Sequence, residues 1–225
     1  MRPVINILED KLKEKVVAEA IEILDEIGIF VENKEAVEIL EKAGIKVNEK
    51  TSKAKIPADI VKKSINSAPK SITLFDREGK EVTKLEKDIF CFDPGSAALQ
   101  VLDPETNEIR LGVSKDFINF TKVVEQLEYI KAQSTAIICS DVPEVVADRF
   151  RLYLALIYSK KPVVTGTFAK ESFEIMKDML VSIRGGEKEL REKPLAIFDA
   201  CPSPPLKWSD LTCQSIIDCA KYGIP

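Results

Sequence analysis

Four times along this chain an apolar stretch gives way to a short polar turn and then to a helix-forming segment, and this alternation restricts the possible folds severely. The turns are Asp93-Pro94-Gly95-Ser96, Ser140-Asp141-Val142-Pro143, Thr165-Gly166-Thr167 and Asp199-Ala200-Cys201-Pro202-Ser203. Parallel α/β proteins gather their chemistry at the carboxyl ends of strands, where loops from different strands converge while the sheet stays buried. The alternation therefore predicts an α/β fold with a ligand site built from these turns.

Composition removes several alternatives. The 33 basic and 37 acidic residues leave a net charge of −4, and the signs alternate along helix faces, the pattern of a solvated surface. No basic stripe suits nucleic acid. The apolar runs fall short of the ~20 residues a membrane helix needs, and Met1-Arg2-Pro3 opens no signal peptide, so a soluble cytoplasmic protein is expected. The five cysteines are odd in number and form no CxxC pair; they read as reduced thiols, buried as small hydrophobes. The chain has no histidine, which excludes Ser-His or Cys-His catalysis within it and removes the commonest zinc ligand. Cys139 and Cys201 follow strands, but two thiols make a poor case for a metal, and none is expected.

Residues 11 to 27 place Leu12, Val16, Ala20, Leu24 and Ile27 on one helical stripe. Asn33 is positioned to cap a second helix, Lys34 to Ala43, with Ala36, Val37, Leu40 and Ala43 on its buried side. Gly28-Ile29-Phe30-Val31 and Gly44-Ile45-Lys46-Val47 follow these helices as short extended pieces. A third helix, with Pro57 in its first turn, runs to about Ser67 and turns Ile60, Val61 and Ile65 inward.

Beyond it, Ser71 to Phe75 and Ile89 to Phe92 are β-rich, and residues 97–102 and 109–111 flank a turn-prone segment as a hairpin. Helices are predicted from Ser114 as cap, from near Pro143 with Val146, Phe150, Leu154 and Ile157 inward, over 171–184, and after Ser209. Strands are predicted to begin at Tyr129 and to span 162–165 and 195–198. The chain thus reads as an N-terminal helical extension with short strands, residues 1–87, followed by a strand–helix array, residues 88–225.

Such an array builds an open doubly wound sheet or a (β/α)8 barrel, and no glycine-rich nucleotide fingerprint follows any strand. About four units are visible, the first half of a barrel. Gly223 stops the last helix and Ile224-Pro225 reads as the start of another strand, so the sequence has the look of a fragment.

Each turn carries a plain reading beside a chemical one. Asp93-Pro94-Gly95-Ser96 can direct a carboxylate and backbone N–H groups at a ligand, or be a simple β-turn. Thr165-Gly166-Thr167 can border a ligand or relieve crowding in a tight loop. Asp141 can balance a cationic substrate or hydrogen-bond the start of the following helix. The prolines around Ser203 stiffen their loop with or without a ligand. Trp208 and Tyr153 can belong to an aromatic cage for a quaternary ammonium, though helix packing explains both more simply.

Taken in order, several segments form a recognisable set: Gly28-Ile29-Phe30-Val31-Glu32-Asn33; Ile56-Pro57 heading a helix that ends Ser67-Ala68-Pro69; Asp93-Pro94-Gly95-Ser96-Ala97 with Val101-Leu102-Asp103; Ser140-Asp141-Val142-Pro143; and Pro202-Ser203-Pro204-Pro205-Leu206. Through them the chain resembles the trimethylamine methyltransferase family, the corrinoid-dependent group that includes glycine betaine methyltransferases, over about the first half of a family member. The resemblance implies a partial TIM (β/α)8 barrel with added N-terminal helices. It also implies an enzyme that moves a methyl group from a methylated amine to the Co(I) of a corrinoid (cobalamin) carried by a partner protein, with no cofactor bound directly by this chain.

Carried over by motif, the residues facing substrate or corrinoid are Asp93, Gly95, Ser96, Asp141 and Ser203; Thr165 and Gly166 join them from position alone. A half barrel leaves strand edges unpaired, so a homo-oligomer is expected, as is little activity from the fragment alone. The competing reading is a noncatalytic remnant or binding module that keeps the fold.

Overall fold

The computed structural model describes residues 7–225, so the Met1-Arg2-Pro3 reading lies outside the described residues. The described chain is mixed α/β, with several small sheets, none of them closed. It divides into two compact units, one comprising residues up to 68 together with 202–213, the other comprising 69–201 together with 214–225.

In the first unit, α1 (Asp10–Glu22) continues into a π-helical turn, Ile23–Ile27, that ends at Gly28. Gly28 adopts φ 75°, and a Cβ on it would lie 2.4 Å from the Ala54 carbonyl oxygen, so the position admits only glycine. The chain then forms β1 (Ile29–Val31), α2 (Lys34–Lys42), β2 (Val47–Asn48), β3 (Lys53–Ala54) and α3 (Ala58–Ser67). Asn33 caps α2 as expected: its Oδ1 accepts from Ala36 N–H at 2.8 Å, and its Nδ2 donates to Asp210 Oδ1 at 2.8 Å. β1 pairs antiparallel with β3 and parallel with the strand Lys207–Trp208. Ile29, Val31, Ile45, Ala54 and Cys213 form the core, with Leu24, Val37, Leu40, Ile60 and Trp208 packed on it.

Two expectations are corrected here. The α1 stripe is exposed at Leu12, Val16 and Ile27, and Ile65 of α3 is exposed as well. Helical periodicity identifies an apolar face, but only the tertiary structure supplies something to cover it. Pro57 takes the cap position of α3 rather than its first turn.

The second unit opens with the antiparallel pair β4 (Ser71–Phe75) and β5 (Glu81–Glu86), of which β5 was not anticipated. The expected hairpin follows as β6 (Gln100–Leu102) and β7 (Ile109–Leu111). Arg110 anchors it, donating through Nε to Asp103 Oδ2 at 2.7 Å and through both terminal nitrogens to Asp116 at 2.7 and 2.9 Å. The Arg110 hydrogen bond, with help from two backbone N–H groups, holds the Asp103 carboxyl down to about 2.

Then come α4 (Ser114–Gln126), β8 (Gln133–Ser134), α5 (Ala147–Tyr158) after a short 3-10 turn, β9 (Val163–Thr165), α6 (Ser172–Arg184), α7 (Glu187–Glu192), β10 (Ala196–Phe198) and α8 (Asp210–Tyr222). β8, β9 and β10 form a parallel sheet with β9 central. Phe92 adds a parallel bridge to Ile130. On the other side Phe198 N–H donates to the Pro225 carbonyl at 2.9 Å, so the last residue runs along the free edge of β10. Phe117, Leu152, Phe173, Met176, Leu180 and Leu195 fill the core.

Several boundaries shift. Of the Ile89 to Phe92 run only Phe92 pairs, and the strand expected to begin at Tyr129 forms at Gln133. Ser114 is the first helical residue of α4, because acceptors from Asp116 and Asp141 satisfy the N–H groups of Val113 and Ser114. In α5 the inward face is wider than expected: Leu154 is buried and Phe150 packs on the core as anticipated, but Asp148, Arg151, Leu152 and Ala155 are buried as well, whereas Ile157 is exposed. Two charged residues on the buried stripe concealed it. Finally, Cys139, Cys213 and Cys219 are buried as expected, but Cys91 is half-buried and Cys201 exposed.

Candidate functional site

The parallel strands of the second unit end at Ser134, Thr165 and Phe198, and the turn that follows the bridge residue Phe92 folds onto the same end. Asp93 Oδ1 accepts from Gly95 N–H at 2.8 Å, closing an Asx turn in which Gly95 takes φ 78°. That turn folds over the end of β8, where Ser134 Oγ donates to the Gly95 carbonyl. Ser96 is exposed in the same turn. On the other side of β9, Asp199 follows β10, and the Asp93 charge acts on it.

Asp199 is fixed by its backbone, since its N–H donates to the Thr165 carbonyl at 2.6 Å. Burial, and secondarily the negative charge of Asp93, raise the Asp199 carboxyl above its ordinary value. Its residue surface nevertheless stays open to solvent. Gly166 abuts it: a Cβ there would lie 3.4 Å from the Asp199 carbonyl oxygen. An acidic group whose ionisation is disfavoured by burial, beside a second acid and a rim of glycine and serine, makes a mouth suited to a cation.

The remaining expected site residues are placed differently. Thr165 is buried, with Oγ1 3.3 Å from Thr135 Oγ1, so its hydroxyl joins β8 to β9. Asp141 is exposed, and its Oδ1 accepts from Ser114 N–H at 2.8 Å and Ser114 Oγ at 3.0 Å. Its partner is thus the helix before it, α4, not the one after. Ser203 lies in the first unit, where its backbone exchanges two hydrogen bonds with Lys207 across the proline-rich turn. Trp208 belongs to the first unit's sheet, and Tyr153 stacks on Phe150 with centroids 6.4 Å apart. Among the described residues no group of three or more His, Cys, Asp or Glu is placed to hold a metal ion, and no helix is long and apolar enough to cross a membrane.

Asp199 was not singled out as a site residue from the sequence, although it holds the same place after its strand as Asp93 does. Asp148 and Arg151 also escaped notice. The available signal was two charged residues at i and i+3 within the otherwise apolar α5.

Parallel strands whose carboxyl-end loops gather acidic and small residues define an α/β protein with its candidate site at that end of the sheet. The family model for trimethylamine methyltransferase (MTTB) matches residues 1–225, and this chain belongs to that family. It is 29% identical over 205 residues to the trimethylamine methyltransferase MttB of Desulfitobacterium hafniense, covering 91% of this chain and 41% of that protein. To MttB of Methanosarcina barkeri it is 30% identical over 211 residues, covering 91% and 42%. A glycine betaine methyltransferase of Desulfitobacterium hafniense is 25% identical over 222 residues, covering 98% and 46%. The chain spans less than half the length of these relatives.

Proposed function

We propose that this chain contributes the amino-terminal part of a cytoplasmic methyltransferase that moves a methyl group from a methylated amine, such as trimethylamine or glycine betaine, to a corrinoid carried by a partner protein. In this reading the second unit is one arc of a (β/α)8 barrel. The observation that carries it is the gathering of the Gly95 turn, Gly166 and Asp199 at the carboxyl ends of parallel strands, where the Asp93 charge also acts on Asp199. The substrates named for its relatives give the cation this mouth would hold.

A quaternary ammonium has no N–H to donate, so its recognition depends on negative charge, shape and exclusion of water rather than on hydrogen bonds. Asp93 and Asp199 supply the charge, while Gly95, Ser96 and Gly166 leave room beside it. When a methyl group departs from such a cation, the C–N bonding pair stays on nitrogen and a neutral amine leaves. No general acid is required, which suits a chain with no histidine. The corrinoid supplies the Co(I) nucleophile, and the exposed rim at Asp93 and Ser96 leaves a second protein's prosthetic group free to approach.

Calorimetric titration of the chain with glycine betaine and with trimethylamine tests the reading. Saturable binding is expected, weakened at least tenfold by Asp199→Asn, which corresponds to about 1.4 kcal/mol. Absence of saturation with either amine would overturn it and favour a noncatalytic remnant that keeps only the fold.

A further inference from the structure

Two charged side chains of α5 are as buried as the aliphatic core: Asp148 and Arg151 are each 1% exposed. Each makes one hydrogen bond within α5, Arg151 Nε donating to the Ala147 carbonyl at 3.3 Å, and one to another segment of the unit. Asp148 Oδ2 accepts from Phe168 N–H at 2.8 Å, while Oδ1 accepts from Arg149 N–H at 2.7 Å within the helix. Arg151 Nη1 donates to the Thr135 carbonyl at 2.6 Å, and its guanidinium carbon lies 4.6 Å from the centroid of the Phe168 ring. Thr135 is the residue after β8, and Phe168 is the third residue after β9. One loop residue is thus gripped at its backbone by the acid and at its ring by the base, and the same base holds the neighbouring strand end.

Buried charges cost stability unless each is fully partnered, and apolar residues of similar volume commonly pack as well or better. Core packing alone therefore gives little reason for this pair. What the pair does uniquely is fix the loop 166–168, whose Gly166 borders Asp199, against the end of β8.

We propose that Asp148 and Arg151 are positioning residues, a clamp that presets the β9–α6 loop at the mouth before any ligand arrives. Preorganisation of this kind spares binding the entropy of ordering the loop. The proposal rests on the preceding reading only in taking this mouth as the site, and its test involves no amine, so the two can fail separately.

The test is amide hydrogen exchange on the whole chain, comparing wild type with Asp148→Ala, Asp148→Asn and Phe168→Leu. In Asp148→Ala the Phe168 amide should exchange at least fivefold faster, while the β10 amides of Ala196 and Ile197 stay within twofold. Asp148→Asn keeps one acceptor oxygen and should return the Phe168 amide to within threefold of wild type. A smaller acceleration, an equal one in β10, or no rescue by asparagine would overturn the clamp. Should Asp148→Ala fail to fold, Phe168→Leu decides, because that side chain is half exposed and its loss leaves both charges in place. A change below twofold at amides 166–168 in this variant would then overturn the proposal.

Discussion

Asp199 is costly to the fold where it stands, and the cost has a sign that pH reveals. Its folded-state pKa is raised, first by burial and then by Asp93, so the ionised form is disfavoured in the folded protein relative to the unfolded chain. Below the ordinary carboxylate value of about 3.9 both states carry the proton and there is no penalty. As pH rises past that value and through the raised one, the unfolded chain ionises more readily and folding stability is lost. Asp199→Asn removes this loss. Urea unfolding should show the variant more stable than wild type at pH 7 and equal to it near pH 3, although it binds amines less well. A ligand site that works against stability commonly behaves in this way. Equal midpoints at both pH values would show that the carboxyl is not perturbed.

At the scale of elements, α1 and α5 have similar lengths and opposite environments. Every residue of α1 through Ala20 is exposed, so polar substitution on its stripe removes little packing. Leu12→Gln and Val16→Gln should each change folding stability by less than about 0.5 kcal/mol. Leu152 of α5 is 0% exposed within the second unit's core, and Leu152→Ala should cost about 2–5 kcal/mol through lost transfer energy and a cavity. Denaturant titration of the three variants separates the two helices. Comparable losses in α1 and α5 would mean that α1 is covered after all.

Considered whole, the chain leaves apolar surface open where its strands and hairpin end: Phe90, Phe92, Leu99, Leu102 and Ile109 are all well exposed. Unpaired strand edges beside such residues favour association with another polypeptide. Light scattering coupled to size exclusion should show a mass that rises with concentration, and a monodisperse monomer at every concentration would contradict this. The sequence by itself determined the alternation of strand and helix, the β6–β7 hairpin, the Asn33 cap, the glycine stops and the four turns. Each of these is written in neighbouring residues, through periodicity, side-chain length or the conformational freedom of glycine. It also carried the family, through the order of weak motifs. Only the tertiary structure decided which faces are covered, so the exposed α1 stripe and the charged part of the buried α5 face were not legible. It alone brought Asp93 to Asp199, gave Asp141 to Ser114, and set Asp148 and Arg151 under the β9–α6 loop. These pairings join residues from 17 to more than 100 positions apart, and such distances are bridged by packing rather than by any local pattern.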